Sequence, residues 1–300
     1  MFLIDRFEVE KRVRIMRREF EKFRISEELR GYNWDSPPVE PNSSGIYLSL
    51  SDFYGTCPAM RDIYLKYVEG IKPALNTFML RGLAYHEVIK EALIRIKGTI
   101  YNGVMNGIEL MEKLQKVDIP AKVCERLNVE AKVECEKLFK YIILQCAAEI
   151  DRILSKFPYI DVDSLINKAL PPVVERRIDG SFIGLSNNLS IDLFTPYNVI
   201  ADLKSGEERE RNLLILTGYA LALESDEMTD VNFGFLIYLR IKNTIQFKIR
   251  HSLISDELRR NFLELRDEIF EVIESGVDPG KSTNCSKYCP YFGVCNEAGD

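Results

Sequence analysis

Long hydrophobic runs are missing from this 300-residue chain. No stretch of about 18 apolar residues occurs, which argues against a membrane-spanning helix. A secretory leader is not legible either, because Met1-Phe2-Leu3-Ile4 meets charge already at Asp5 and Arg6. The expected location is therefore the cytoplasm. Positive charge is not in excess. A formal net charge of −6 excludes a generally basic nucleic-acid binder, so any DNA contact must come from local basic patches. Histidine occurs only twice and glutamine three times, while Lys, Glu and Ile are plentiful. That balance leans toward a hot-living source. Internal repeats and low-complexity segments are also lacking.

What is present suffices for a large core: 46% of residues are hydrophobic and 29% are charged, the balance of an ordinary globular protein. The length suits one large domain, or one domain carrying a helical insertion. Seven cysteines in a cytoplasmic chain are poor disulfide candidates and better thiolate ligands or buried apolar residues.

Periodicity predicts a helix over about 5–30, with Phe2, Val9, Val13, Met16, Phe20 and Phe23 at mostly helical spacing and Gly31 ending it. Its segment from Lys11 to Arg24 is basic and includes Arg17 and Arg18, which offer phosphates a contact or simply form a solvated face. Residues 35–45 are too rich in Pro and Ser for regular structure. A second helix can begin after Ser49 or Ser51, a third covers 76–96, and 105–157 looks helical almost throughout. After Pro171-Pro172 the pattern changes to strands at 173–179, 182–186, 189–194 and 198–204, with a turn over Thr195–Asn198. A helix at 208–225, strands at 231–240 and 243–250 and a helix at 254–275 follow. Arg240, Lys242, Lys248 and Arg250 mark a second basic patch. These elements divide the chain into a helical extension and linker (1–50), a helical region (51–170), an α/β core (171–275) and a cysteine-rich tail (276–300).

Chemistry concentrates in Val199-Ile200-Ala201-Asp202-Leu203-Lys204. Strand alternation puts Ile200, Asp202 and Lys204 on one face, with the acid and the lysine about 7 Å apart. A hairpin through Thr195–Asn198 brings Asp192 toward Asp202. Two carboxylates on adjacent strands are hard oxygen ligands for Mg²⁺ or Mn²⁺, and such a metal polarises a phosphate and acidifies a bound water. Lys204 can then position that water or offset developing charge. Two surface aspartates beside a solvated lysine are the competing reading. His86, inside the apolar helix, is a further ligand candidate or a packed residue. Glu175 is a further acid or a salt-bridged strand residue.

The tail spaces three thiols as Cys285, Cys289 and Cys295, and Cys57 lies far upstream. Four thiolates are the usual number for a [4Fe–4S] cluster, and structural zinc is the alternative. Either would tie the two ends of the chain together. Cys124, Cys135 and Cys146 recur every 11 residues, and join Leu127, Ala131, Leu138, Ile142 and Ile150 on a core stripe of one long helix.

Cys57-Pro58 with Arg61-Asp62-x-Tyr64-Leu65, Gly82 with His86, Asp192, Asp202-x-Lys204, Tyr219 and the three tail cysteines occur in one order. That order resembles the CRISPR-associated RecB-like exonucleases, Cas family four. The N-terminal helix with Gly31-Tyr32-Asn33-Trp34 and the length look like the larger archaeal subtype I-A (Apern) variant. The resemblance implies an α/β fold with a restriction-endonuclease-like (PD-(D/E)xK) core, a mixed sheet and an iron–sulfur module joining Cys57 to the tail. It implies Mn²⁺ or Mg²⁺ on His86, Asp192, Asp202 and the Leu203 carbonyl, Lys204 helping to activate water, and Tyr219 at the site. The implied cluster ligands are Cys57, Cys285, Cys289 and Cys295. The implied activity is metal-dependent trimming of single-stranded or overhanging DNA, processing prespacers alongside the integrase proteins Cas-one and Cas-two. Two departures stand out: Ile215 occupies the position of a usual Gln, and Ser190 that of a common Gly. The first leaves a second reading open, a non-catalytic DNA-binding scaffold with the nuclease fold.

Overall fold

The computed structural model describes residues 6–22, 24–104, 106–170 and 172–297; Phe2, Phe23 and Pro171 lie outside them. Helix α1 (Arg6–Phe20) and α2 (Arg61–Tyr67) precede a long α3 (Thr77–Tyr101). A helical layer follows: α4 (Gly107–Leu114), α5 (Ile119–Leu127), α6 (Lys132–Lys156) and α7 (Val162–Ala169). Then come β1 (Val173–Ile178), β2 (Leu189–Thr195), β3 (Val199–Lys204), α8 (Arg211–Glu227), β4 (Phe233–Ile241), β5 (Ile245–Leu253), α9 (Asp256–Ser275) and α10 (Phe292–Glu297).

The strands form one mixed sheet in sequence order, antiparallel except for the parallel pair β3–β4. A parallel pair needs a crossover, and α8 supplies it. The central strands are buried on both faces. Val199, Ala201, Leu203, Phe235 and Ile237 pack with Val88, Ala92, Ile142 and Cys146 of α3 and α6. Ile200, Leu236 and Tyr238 pack with Leu216, Ala220 and Phe262 of α8 and α9. The sheet therefore separates two apolar layers, and β3 alternates between them as its sequence predicts.

Several elements differ from the sequence expectation. Helix α1 stops at Phe20, and 27–33 forms two short 3-10 turns instead. Gly31 does not end a helix; it is pressed against α8, where a Cβ would sit 2.0 Å from the Leu221 carbonyl oxygen. The stretch 105–157 is three helices, not one. Asp118 caps α5 at its start, and Asn128 closes it in the left-handed region (φ 48°). Cys124 thus sits on α5 and Cys135 and Cys146 on α6, although all three are buried in the same core. Residues 182–186 are no strand: Ser181–Ile183 is a 3-10 turn closed by Gly184 at φ 75°. The Pro-rich loop is held by buried Arg266, whose guanidinium donates to the carbonyls of Val39 (2.6 Å) and Glu40 (3.0 Å). No helix among the described residues is long and apolar enough to cross a membrane.

Candidate active site

The β2–β3 hairpin positions the acids. Tyr197 and Asn198 both adopt positive φ (70° and 53°), which lets the chain reverse tightly. The ladder runs from Thr195–Val199 to Leu193–Ala201 and ends there. The next facing pair, Asp192 and Asp202, belongs to one face of the hairpin. Where the strands part, Asp192 Oδ2 accepts the Leu203 N–H at 2.7 Å. Its other oxygen lies 3.3 Å from His86 Nδ1 on α3. Asp202 Oδ2 lies 2.8 Å from the Lys204 ammonium. That contact lacks hydrogen-bond geometry, and the oxygen is buried with no hydrogen bond at all.

Gly82 explains how α3 reaches the hairpin. A Cβ there would approach Ser205 Oγ to 2.7 Å, so the helix lies directly against the strand end after Lys204 and delivers His86 one turn on. Tyr54, which sequence reasoning missed, closes the site from the other side. It ends the 3-10 segment Leu50–Tyr54, its hydroxyl accepts from Lys204 Nζ at 2.6 Å, and its ring lies beneath the ammonium.

Burial and charge oppose one another here. Burial pushes the Asp202 carboxyl up to about 6, Lys204 pulls against it and Asp192 adds to the rise. Burial would also raise Asp192, but His86, the Leu203 N–H and Lys204 outweigh it and hold the acid below its usual range. Burial would lower His86; the Asp192 carboxylate more than offsets that, and the imidazole rises. Lys204 rises too, because Asp202 and Tyr54 outweigh its burial. It is therefore cationic at neutral pH and cannot accept a proton there. Tyr219 on α8 is pushed well up, first by burial and then by Asp202 and Asp192.

Other residues named from the sequence fall variously. Glu175 takes a left-handed backbone (φ 53°) in β1 and accepts from the Ser190 hydroxyl at 2.7 Å, so Ser190 orients an acid where a glycine could not. Ile215 is buried in the apolar layer between sheet and α9. Arg17 lies 6.0 Å from the Tyr197 ring, at the turn end of β3. Seven residues of strand, about 23 Å, separate that turn from Lys204, so the structure does not bring the basic helix to the acids. Lys248 and Arg250 are paired with Glu208 (2.7 Å) and Glu210 (2.9 Å), which removes them from a free basic patch.

The four distal cysteines gather from two chain segments. Cys289 and Cys295 pack with Leu65 and Tyr291. Burial raises the Cys289 thiol, and Asp62, Cys285 and Cys57 add to the rise as electrostatic neighbours. Arg61 fixes the junction through a bidentate pair with Asp278 (2.9 and 2.7 Å), and Ala74 N–H donates to the Pro290 carbonyl (3.1 Å). None of the seven cysteines is in a disulfide. Among the described residues, no three His, Cys, Asp or Glu side chains stand at metal-ligating distance from a common point.

Residues 2–298 match the family model for the CRISPR-associated exonuclease Csa1. The chain belongs to this family. A CRISPR-associated exonuclease Csa1 of Saccharolobus solfataricus is 33% identical over 274 residues, covering 91% of this chain and 92% of that protein. Its namesake in Thermoproteus tenax is 29% identical over 272 residues, 90% of this chain and 91% of that one. Both relatives are archaeal, and the match selects the larger archaeal branch of the family resemblance. The family name places this chain among CRISPR-associated exonucleases.

Proposed function

We propose that this protein is a PD-(D/E)xK-type, metal-dependent deoxyribonuclease that trims single-stranded or overhanging DNA ends, prespacers among them, in the cytoplasm. One observation carries the reading: His86, Asp192, Asp202 and Lys204 meet where the β2–β3 ladder stops, and Asp202 Oδ2 is buried there without a hydrogen bond. Its one close partner is the Lys204 ammonium at 2.8 Å, and two carboxylates on adjacent strands are hard oxygen donors of the kind that suit Mn²⁺ or Mg²⁺.

His86, Asp192, Asp202 and the Leu203 carbonyl would hold Mn²⁺ or Mg²⁺; the side chains would have to turn from their present ion pairs to do so. The cation supplies Lewis-acid polarisation of the phosphate and a more acidic bound water. Lys204, held cationic by Asp202 and Tyr54, orients the attacking water and offsets charge that builds on the scissile phosphate. Tyr54 keeps the ammonium from swinging into solvent. Tyr219 and Glu175 line the acids' surroundings, and burial of Tyr219 keeps its phenol protonated as a donor. Arg17 and Arg18, far from the acids, are assigned to more distant phosphates or to the DNA-loaded integrase proteins Cas-one and Cas-two. Incubation of the protein with labelled single-stranded DNA and Mn²⁺ is expected to give progressive shortening from an end, and chelation with EDTA to stop it. Equal shortening with and without chelator would remove the metal from the reaction.

For the tail, Cys57, Cys285, Cys289 and Cys295 would hold a [4Fe–4S] cluster. The donor chemistry suits it: four thiols, two of them buried, from both ends of the chain. The cluster's contribution would be structural, closing a loop that spans most of the chain. Protein prepared without oxygen is expected to be brown and to carry about four irons per chain. A colourless protein with one zinc would exchange the metal and leave the nuclease reading intact.

A further inference from the structure

Two of the most exposed aromatic rings lie together rather than scattered. Phe78 and Tyr288 are each 68% exposed, and their rings meet edge to face with centroids 5.8 Å apart at 85°. They are not loose. Asn76 caps α3 by accepting the Met79 N–H (2.9 Å) and donates its amide to the Tyr288 carbonyl (3.3 Å). The Ala74 to Pro290 hydrogen bond straps the tail to the same helix start. A ring fixed at its base and open on its face adds little to the core, yet offers a π-surface to a flat ligand.

The position of the pair on α3 says which ligand. Phe78, Gly82 and His86 follow one another at single-turn steps, so Phe78 stands about 12 Å up the helix from His86. Between them Gly82 meets Ser205, the residue after Lys204, and exposed Met79 (42%) and Leu83 (43%) leave this end of α3 open to solvent. Stacked DNA advances about 3.4 Å per nucleotide, so a strand covers that distance in about three to four nucleotides. We propose that Phe78 and Tyr288 form a stacking platform that holds one base of single-stranded DNA about three to four nucleotides from the bond cut between Asp192 and Asp202. The inference rests on the nuclease reading above and adds the feature that selects unpaired DNA: a base inside a duplex has no free face to lay on the rings.

Binding of a fluorescein-labelled oligothymidylate, measured by anisotropy without divalent metal, tests the platform apart from cleavage. Phe78→Ala is expected to weaken affinity about tenfold, the usual scale for one stacked base. Phe78→Trp restores it, and Phe7→Ala on the remote helix α1 leaves it unchanged. Moving a single abasic site along the oligonucleotide should weaken wild-type binding at one position and leave Phe78→Ala indifferent. Unchanged affinity in Phe78→Ala overturns the proposal, as does an equal loss on fully abasic strands. So does a change in self-association with DNA affinity intact, which would give the patch to a second copy. Position-specific stacking without cleavage in the wild type would sink the nuclease reading and keep the platform. Cleavage without the stacking signature would do the reverse, and a wild type that binds no oligonucleotide overturns both.

Discussion

Asp202→Asn is expected to lower metal-supported DNA cleavage by about 10³-fold while the protein still folds. The magnitude follows from the proposed role: a cation that lost one ligand would forfeit several kcal/mol of charge stabilisation, and each 1.36 kcal/mol is tenfold in rate. The fold should tolerate the change because two effects oppose. Asparagine removes a buried acid whose ionisation is disfavoured, shown by the rise to about 6, but it also takes the counter-ion from Lys204. The sign on pH is fixed by the same shift. An acid raised on folding costs stability above about pH 6, and that cost fades as pH falls toward the unfolded value near 4. Cation affinity runs the other way and should weaken as pH drops through about 6, because protons then compete for the oxygens. A full cleavage rate in Asp202→Asn, measured beside a matched melting curve, would dismiss the site.

The largest stability effect is expected from Glu224→Gln, far from the acids. Glu224 is fully buried and receives Arg259 on both oxygens (2.7 and 2.9 Å), Arg30 (2.8 Å), and the N–H groups of Gly31 (2.8 Å) and Val231 (3.0 Å). It thereby pins the N-terminal 3-10 turns, α9 and the start of β4 to α8. A neutral amide leaves two buried guanidinium groups without their anion, a loss of about 3–5 kcal/mol. With roughly 2.1 cal/mol/K of unfolding entropy per residue, that lowers Tm by roughly 5–8 °C in a chain of this size. Burial would raise the Glu224 carboxyl, but Arg259 and the two N–H donors hold it below its usual range. Its stabilisation is therefore complete above the unfolded value near 4.5 and is lost as pH falls through the depressed folded value. Glu224→Gln should flatten the acid side of the stability curve. Melting curves from pH 3 to 7 decide it: an unchanged Tm would mean that the guanidiniums find water or other carbonyls instead.

Some of this was legible in the residues. β2 and β3 followed from alternation, and α8 and α9 from helical periodicity. Asp192, Asp202 and Lys204 followed from a carboxylate two residues before a lysine on a strand, with a second acid one hairpin away. The buried network left a signal that could have been used. Glu224 directly follows the apolar run Ala220–Leu223, and Arg259 and Arg266 recur seven apart on α9 among Phe262, Leu263, Ile269 and Phe270. A charge on an apolar stripe implies a buried partner. Tyr54 left no such signal, since one tyrosine at the end of a short mixed 3-10 turn looks like any other. The break at Asn128 was hidden because apolar spacing continued across it, and the false strand at 182–186 because a short apolar run fits a buried turn equally well.

By itself the sequence determined the strands and helices of the sheet region from β2 to α9, the family and the residue types able to hold a cation or a cluster, because these follow from local periodicity and from the chemistry of each side chain. Only the tertiary structure decided that α3 lies close enough at Gly82 to set His86 against Asp192. Only it showed that Lys204 donates to Tyr54, that the basic helix stands at the turn end of β3, and that the exposed rings of Phe78 and Tyr288 meet. Those are distances between residues remote along the chain. They are fixed by how two apolar layers close on one sheet, which no local pattern encodes.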